Sequence, residues 1–300
     1  MATTETLQLS RQDIEHLPHY RRKTRAGEYS SSCPVCQGKD RFLFWPDKGN
    51  YLCRRCELKG FVTDSNSLTF SQDQYDAWKR AEAERQQKER RYRADKVGQL
   101  NQESKADYYH AQMTDRSYWY EQGLTDETID RFKLGYAPAC PTYPDSPSWT
   151  IPIFYQGKLY NIRHRLVRPN GSGKYRPEMA GLSAAVFNAD VLDSGDWMIV
   201  LVEGEIKTCV LTQAGFSAVG IPGANSFKDK WLKLFKPDSV VYVALDPGAD
   251  EQAREIGQAL KAGGIEARVC SLPCKPDDFL TLYNGTPADL VKFLSLGKKM

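Results

Sequence analysis

Hydrophobic positions in the last third of the chain form short continuous runs separated by amphipathic stretches. Residues 198–202 and 239–245 are almost entirely apolar, as expected for strands that a sheet buries on both faces. Their alternation with helical patterns gives a β-α-β-α-β order, which predicts a largely parallel α/β sheet. The predicted strands are 198–202, 217–220, 239–245 and 266–270, and the predicted helices are 206–214 and 250–262.

The middle of the chain has a different pattern. Residues 118–136 predict two short helices, the first ended by Gly123 and the second capped by Thr125, with Thr128 in place of a capping-box acid. A proline-rich loop is predicted at 138–152, before a hairpin with strands at 151–155 and 158–167.

Residues 71–97 are polar nearly throughout and rich in helix-forming residues. Acids precede bases at i,i+4, the order that stabilises a helix, in the pairs Asp76–Arg80, Glu84–Lys88 and Glu89–Arg93. Because few apolar residues interrupt this stretch, we predict a solvated connecting helix without chemistry of its own.

The composition is that of a soluble protein with a mild positive charge. Of 300 residues, 41% are hydrophobic, the net charge is +3, the pI is near 8.3 and the mean hydropathy is −0.57. This charge does not by itself indicate a nucleic-acid partner. The chain has no apolar run of about 18 residues, so no membrane helix or membrane partner is predicted. Polar Met1–Ser10 is unlike a signal peptide, and we therefore expect a cytoplasmic, reducing location.

Two Cys-x-x-Cys steps stand on either side of an aromatic, basic segment, Arg41–Trp45. Four thiolates at this spacing can close a tetrahedral shell around a structural zinc ion. Disulfides or buried core cysteines are the alternatives, and the expected reducing compartment disfavours disulfides. The predicted zinc ligands are Cys33, Cys36, Cys53 and Cys56. The remaining cysteines lack paired metal spacing and are predicted to be structural: Cys140, Cys209, Cys270 and Cys274.

These patterns predict a multidomain α+β protein. The ribbon is too poor in apolar residues to fold without metal, so zinc binding would supply its folding energy. The predicted division is a zinc ribbon at 1–64, a connecting helix or linker at 65–104, a core with basic strands at 105–195 and a parallel α/β domain at 196–300.

Acidic side chains follow the three main strands of the predicted parallel sheet. Glu203 follows the first, Asp246 the second, and Asp277 with Asp278 lies shortly after the third. Functional groups collect at the carboxyl ends of such strands, and converging carboxylates require a cation. Oxygen ligands of this kind suit Mg²⁺ or Mn²⁺. The alternative is that each acid only caps the helix that follows it.

The predicted hairpin carries a run of bases without acids in residues 157–176. Arg163 and Arg165 alternate along one strand and should project from one face, while Tyr160 and Tyr175 add stacking surfaces. Such a stripe can follow a phosphate backbone, or it can be a solvated face. The candidate nucleic-acid contacts are Arg163, Arg165, Arg168, Lys174 and Arg176, with Trp45 of the cysteine-rich segment.

Taken in order, these parts resemble DnaG-type primases, the bacterial and phage enzymes that join a CHC2-like zinc finger to a TOPRIM catalytic core. The resemblance covers about residues 28–290 and is carried by the cysteine pairs and four further motifs. These are Gln122-Gly-Leu-Thr-Asp-Glu-Thr-Ile129 with Leu134-Gly-Tyr-Ala-Pro138, Gly173-Lys-Tyr175, Val202-Glu-Gly204 and Ala244-Leu-Asp246. The first is specific, whereas the TOPRIM motifs are shared with topoisomerases and some nucleases.

The resemblance implies synthesis of RNA primers from NTPs on a single-stranded DNA template. It implies that the zinc ribbon helps to select the initiation site and that the basic strand holds the template. Lys174 matches the family's lysine near the active centre, and Glu203, Asp246 and Asp277 match its metal-binding acids. Metals would lower the charge of the incoming triphosphate and orient the primer 3′-hydroxyl.

The sequence departs from the family pattern at the acids. Lys207 replaces the family's aspartate four residues after Glu203, Asp246-Pro-Gly248 replaces Asp-x-Asp, and Lys275-Pro-Asp277 replaces Asp-Pro-Asp. With fewer carboxylates, the binding of a second metal ion should be weaker. Asp250 could replace one of the missing carboxylates, and Lys207 could contact a phosphate directly. A fourth cysteine in place of the family's histidine is chemically harmless.

The interpretation we favour is a primase of a phage, plasmid or other mobile element that works with a separate replicative helicase. The chain ends soon after the TOPRIM-like segment, which fits a compact primase or a fragment of a longer one. The alternatives are a catalytically degenerate, primase-derived protein that binds single-stranded nucleic acid, and a TOPRIM nuclease.

Overall fold

The structure is a computed structural model that describes residues 8–22, 27–56, 58–63, 72–171 and 173–300. Side chains at 72–79, 81, 82 and 170 also lie outside the description. The described residues fall into two compact units, one within Met1–Gln86 with Lys228–Lys230, the other comprising Gln87–Phe227 and Trp231–Met300. The four-part domain division stays a prediction.

The helices of the described residues are α1 (Arg11–Glu15), α2 (Gln72–Gln102), α3 (Lys105–Gln112), α4 (Ser117–Glu121), α5 (Asp126–Arg131), α6 (Glu205–Gln213), α7 (Asp250–Ala262), α8 (Pro276–Thr281) and α9 (Pro287–Ser295). Short 3₁₀ helices occur at Ala189–Asp193, Ala224–Ser226 and Asp229–Leu234. Among the residues described, no helix combines the length and apolar composition that crossing a membrane requires.

The strands are β1 (Arg21–Arg22), β2 (Tyr29–Ser31), β3 (Phe42–Trp45), β4 (Asn50–Cys53), β5 (Lys59–Phe61), β6 (Gly135–Ala137), β7 (Ser148–Tyr155), β8 (Lys158–Asn170), β9 (Gly173–Pro177), β10 (Met198–Glu203), β11 (Ala218–Ile221), β12 (Val240–Val243), β13 (Glu266–Val269) and β14 (Lys298–Lys299).

The first unit is built on a five-stranded antiparallel sheet in the order β1-β2-β3-β4-β5. Its small core consists of buried aromatic and aliphatic side chains around two of the cysteines, with Ile14, Phe42 and Phe44 among the most buried. Helix α1 is fixed by a capping box, in which Ser10 and Asp13 satisfy each other's backbone N–H groups.

The connecting helix is confirmed in α2, and it is longer than predicted. Glu89 and Arg93 form the expected i,i+4 ion pair, whereas the side chain of Asp76 lies outside the described residues. The last turns are not solvated, because Leu100 is fully buried against Leu159 and Ile162 of β8. One apolar side chain near the end of a polar helix was too weak a signal to predict this contact.

The two short helices predicted between 118 and 136 are α4 and α5. Gly123 ends the first with a φ of +79°, a conformation that glycine adopts at little cost. Thr125 occupies the cap position of α5, but its hydroxyl lies 3.3 Å from the Thr128 hydroxyl and makes no bond to the helix backbone. The position of the cap is therefore confirmed, and its expected hydrogen bond is not formed.

The predicted hairpin is the centre of a four-stranded antiparallel sheet in the order β6-β7-β8-β9. Strand β7 begins at Ser148, so the loop predicted at 138–152 was too long. Pro152 obscured this strand in the sequence. It is tolerated because β6 pairs only with Ser148–Thr150, and at Pro152 the strand has β8 as its one neighbour in the sheet.

The predicted parallel sheet is confirmed in the order β11-β10-β12-β13-β14, with β14 alone antiparallel. Helix α7 has the predicted bounds and α6 is shifted by one residue, while β12 ends earlier than expected, at Val243. Two clusters of buried apolar side chains cover the two faces, with Leu201 in one and Val202 in the other. This double burial explains the continuous apolar runs.

The sequence analysis did not predict α8, α9 or β14. Helix α9 carries clear local signals, since Thr286 caps it by accepting a bond from the Asp289 N–H and Pro287 stands in its first turn. Helix α8 likewise begins with Pro276. It places Asp277 in its first turn, and this makes α8 part of the candidate site.

Candidate functional site

The four predicted zinc ligands come together in the first unit. Their sulfur atoms all lie within 4.8 Å of one another, with 3.6 Å between Cys33 and Cys56 and between Cys36 and Cys53. A tetrahedral shell with Zn–S distances of about 2.3 Å separates its sulfurs by about 3.8 Å, whereas a disulfide needs about 2.05 Å. The cysteines are free, and their geometry fits a structural zinc ion.

The first predicted acids lie at the ends of neighbouring parallel strands. Glu203 is the last residue of β10, and Asp246 follows β12, which pairs with β10 in register Leu201 to Val243. Gly204, with a φ of +95°, turns the chain from β10 directly into α6. This sharp turn places Glu203 at the sheet edge and sends the first turn of α6 across the same edge.

Lys207 in that first turn reaches the second acid. Its Nζ lies 3.2 Å from Oδ1 of Asp246, and its side chain is only 14% exposed. The third acid, Asp277, lies in the first turn of α8, where its Oδ1 is buried and accepts no hydrogen bond. Burial raises the pKa of Asp277, and the positive charge of Lys207 opposes that shift.

Asp250 and Asp278 lie beside these groups with partners of their own. Asp250, the first residue of α7, accepts a hydrogen bond from Ser271 Oγ at 3.0 Å, and with Asp246 it lines a cavity of about 150 Å³. Asp278 lies 4.0 Å from the ammonium of Lys275.

The acids do not form a closed metal shell as they stand. Within the described residues, the four cysteines are the one set of three or more His, Cys, Asp or Glu ligand atoms within 4.8 Å of one another. Oδ1 of Asp246 and Oδ1 of Asp277 are both buried and accept no hydrogen bond, and the first lies 3.2 Å from the Lys207 ammonium. The donor set near the strand ends therefore fits a divalent cation, with Lys207 as a competing positive charge.

The basic strand lies against this edge of the sheet. Arg163 of β8 donates from Nη1 to Oε1 of Glu205, the first residue of α6, and its guanidinium lies 4.3 Å from the centre of the Tyr175 ring. Glu205 is almost fully buried, with 3% of its surface exposed. A direct ion pair two residues from Glu203 therefore holds β8 against the first turn of α6.

Arg165 lies on the same face, as predicted, between two aromatic rings. Its guanidinium is 5.5 Å from the Tyr118 ring and 6.0 Å from the Tyr175 ring. Tyr118 in turn stacks on Trp149 at 4.6 Å, and Trp149 and Tyr175 lie opposite Arg165 on the neighbouring strands. This face therefore combines flat aromatic surfaces with a cation, a combination that suits stacked bases.

The other candidate contacts are distributed more widely. Alternation along β9 places exposed Lys174 and half-buried Arg176 on the face opposite Tyr175, so the basic residues divide between two faces of the sheet. Arg168 is exposed near the end of β8, and Trp45 is half-buried at the β3–β4 turn. The binding and catalytic roles of all these residues stay predictions.

Sequence reasoning missed Glu205, Tyr118 and Trp149. Glu205 could be read only as a favourable acid at a helix start, and nothing local relates it to Arg163. A second missed feature is the chain of hydrogen bonds from Ser148 Oγ to His164 Nδ1 and from His164 Nε2 to Glu178. Ser148 and His164 are completely buried, so this Ser–His–Glu arrangement is a structural network without substrate access.

Comparisons with known proteins agree with this geometry. Residues 28–63 match the family described as the zinc-binding domain of primase-helicase. The DNA primase of Chlamydia trachomatis serovar D is 21% identical over 98% of this chain, which spans 58% of that protein. The DNA primase of Geobacillus stearothermophilus is 24% identical over 56% of this chain and 35% of its own length.

Solved structures give the same result for the fold. The zinc-binding and RNA polymerase domains of the Aquifex aeolicus primase match 95% of this chain and 82% of theirs, with a TM-score of 0.58 and 18% identity. A DnaG primase catalytic domain bound to single-stranded DNA matches 69% of this chain and 83% of its own, with a TM-score of 0.54 and 17% identity. The resemblance of this chain to DnaG-type primases is thus confirmed, in its zinc ribbon and in the fold of its core.

Proposed function

We propose that this protein is a DNA primase that synthesises short RNA primers on single-stranded DNA. One observation carries the proposal: the Arg163–Glu205 ion pair holds the arginine and tyrosine face of β8 against the sheet edge where Glu203 and Asp246 lie. A template on that face would present its bases to the edge that carries the acids. The similarity to DNA primases supports the same activity.

In this proposal the basic residues bind the DNA and the acidic residues bind the divalent cation. Arg165 contacts the template backbone on the face that carries Tyr175, and Arg168 extends this contact near the end of β8. Lys174 and Arg176 lie on the opposite face, so they contact a part of the strand that passes around the edge strand β9. Trp45 of the zinc ribbon helps to hold the template at the initiation site. Lys174 also serves the active centre. The acids Glu203, Asp246 and Asp277, with Asp250 as a less direct candidate, hold Mg²⁺ or Mn²⁺. A divalent cation bound there supplies positive charge for the NTP triphosphate.

Lys207 and Arg163 support primer synthesis while they stay paired with Asp246 and Glu205, respectively. Arg163 keeps α6, and with it Glu203, at a fixed distance from the template face. Lys207 limits the repulsion between Asp246 and the triphosphate by countering the carboxylate's charge. We further propose that the protein serves a phage, plasmid or other mobile replicon and depends on a separate replicative helicase.

The test is primer synthesis by the zinc-loaded protein on varied single-stranded templates with NTPs and Mg²⁺ or Mn²⁺. We expect short RNA products that disappear in Glu203→Gln. The control Glu127→Gln neutralises an exposed acid of α5, outside the site, and should leave synthesis unchanged. No product from any template, with folding and zinc content intact, would exclude the enzyme. Labelled templates in the same reactions would reveal a nuclease by their cleavage.

One observation favours a second function, a non-catalytic module that binds single-stranded nucleic acid. Lys207 already neutralises Asp246, and the acids do not close a metal shell. Such a module would bind DNA with a steep salt dependence and would be indifferent to Glu203→Gln. Loss of synthesis on that substitution therefore separates the two functions.

A further inference from the structure

Lys207 is held inside the candidate site by its own backbone position. It lies in the first turn of α6, just after the turn at Gly204, and its side chain is 14% exposed. Its ammonium lies 3.2 Å from Asp246 Oδ1 and within electrostatic range of Asp277 on α8. A surface lysine would be solvated and mobile, whereas this one is largely withdrawn from water beside Asp246.

The charges around Lys207 can be counted. The three proposed ligands Glu203, Asp246 and Asp277 contribute three negative charges, and Lys207 contributes one positive charge. The neighbouring acids are counted apart from them, because Asp278 lies beside Lys275 and Asp250 is bonded to Ser271. One divalent cation beside the lysine makes the site neutral, whereas two would leave it with a net positive charge of two before any substrate binds. Charges this close in a partly buried site repel strongly, so the arrangement favours a single ion.

We infer that Lys207 is a built-in cation of this site, whose ammonium takes the place of one of two metal ions, so that the protein binds a single divalent cation. The inference rests on the proposed function for the identity of the site. It explains the missing carboxylates together, because a site with one metal needs fewer acids. Glu203 and Asp277 would then hold the ion, and Lys207 would keep Asp246 from drawing in another.

Manganese binding without nucleotide or DNA tests this directly. Free Mn²⁺ is measured by electron paramagnetic resonance while the zinc-loaded full chain is titrated. The same titration is run on Glu203→Gln, and the Mn²⁺ that this variant no longer binds is assigned to this site. We expect one such Mn²⁺ per chain in the wild type and two in Lys207→Asp. In Lys207→Met we expect one ion bound about tenfold more tightly, because no ammonium competes for the carboxylates.

Lys261→Asp is the matched control. Lys261 is an exposed residue in the last turn of α7, and its substitution changes the total charge as Lys207→Asp does. Its Mn²⁺ binding should equal that of the wild type. If Lys207→Asp does not fold, as judged by circular dichroism, Lys207→Met decides the question.

Two ions of similar affinity in the wild type would overturn the inference while leaving the proposed primase intact. Wild-type binding in both Lys207 variants would overturn it as well. If neither the wild type nor any variant bound Mn²⁺ at this site, the inference and the cation site of the proposed function would fail together.

Discussion

Arg163 on β8 and Glu205 on α6 form an ion pair across 42 residues of sequence, with the carboxylate buried and the guanidinium 4.3 Å from the centre of the Tyr175 ring. This pair joins the antiparallel sheet to the parallel one at the position where β10 ends. This charged contact helps to set the distance between Glu203 and the template face, together with the apolar cluster in which Val210 of α6 packs with Ile151 of β7, and its energetics can be measured.

Glu205→Gln should destabilise the protein by about 3 kcal/mol, because it leaves the Arg163 guanidinium buried without its counter-charge. The free energy of unfolding from denaturant titrations gives the value. Replacing both partners by methionine should recover much of the loss, since no unpaired charge remains. A loss in the double variant equal to the sum of the losses in Arg163→Met and Glu205→Met alone would mean that the pair adds no coupling energy.

The sequence predicted the contacts that depend on local spacing and missed those that depend on chain folding. The cysteine pairs needed only their own motif and the turns around it. The edge where Glu203 and Asp246 lie followed from strand order, because parallel strands end on the same side of a sheet. No periodicity relates Arg163 to Glu205 or Lys207 to Asp246, since each pair joins separate elements. Strand β7 was misjudged because proline content outweighed its apolar positions.

The zinc ribbon should depend on its metal for folding. Its core is small and includes two of the four cysteines, Cys33 and Cys53, so removal of zinc should unfold this unit. We expect one zinc ion per chain by atomic spectroscopy, and loss of protection of β3 and β4 in hydrogen exchange after chelation. The same experiment on the parallel sheet provides the control, because its core contains no metal ligands of the ribbon. Unchanged exchange in β3 and β4 without zinc would contradict this account.

Gly123→Ala should destabilise the protein by about 1–3 kcal/mol. The residue has a φ of +79°, and an added Cβ would lie 2.4 Å from Cγ2 of Thr281. That methyl group is fixed, since Thr281 Oγ1 donates to the Asp277 carbonyl at 2.8 Å. Thr281→Ser removes the methyl group and keeps the hydroxyl, so it should recover the steric part of the loss and leave the backbone part. Thermal unfolding of both single variants and the double variant separates the two parts.

Asp126 on α5 should make the free energy of unfolding fall as the solution becomes strongly acidic. Hydrogen bonds from Arg116 at 2.6 Å and from Tyr120 at 2.9 Å lower the pKa of Asp126 below its ordinary value of 3.8. The folded state thus favours the charged form. Its stabilising effect is complete above pH 3.8 and is lost as the pH falls through the lower folded-state pKa.

Asp126→Asn provides the measurement. The difference in unfolding free energy between wild type and variant should be largest near neutral pH and should shrink in strong acid. A difference between wild type and Asp126→Asn that is constant with pH would show that the lowered pKa contributes nothing to stability.

Arg163 and Arg165 should differ in their effect on DNA binding although they lie on one face. The charge of Arg163 is already balanced by Glu205, whereas Arg165 lies against the uncharged rings of Tyr118 and Tyr175 and has no ion pair with any described residue. The slope of log K for single-strand binding against log salt concentration counts the ions that binding releases. Arg165→Gln should therefore lower this count by about one, and Arg163→Gln should lower it far less.

Binding of a labelled oligonucleotide at several salt concentrations compares the two substitutions. Arg165→Lys retains the charge and loses the planar contact with the rings, so it should keep the salt slope and lower the affinity. Equal slopes in Arg163→Gln and Arg165→Gln would mean that Glu205 releases Arg163 when DNA binds. In that case the ion pair that joins the two sheets would open during template binding, and the Glu205→Gln variant would bind DNA more tightly than the wild type.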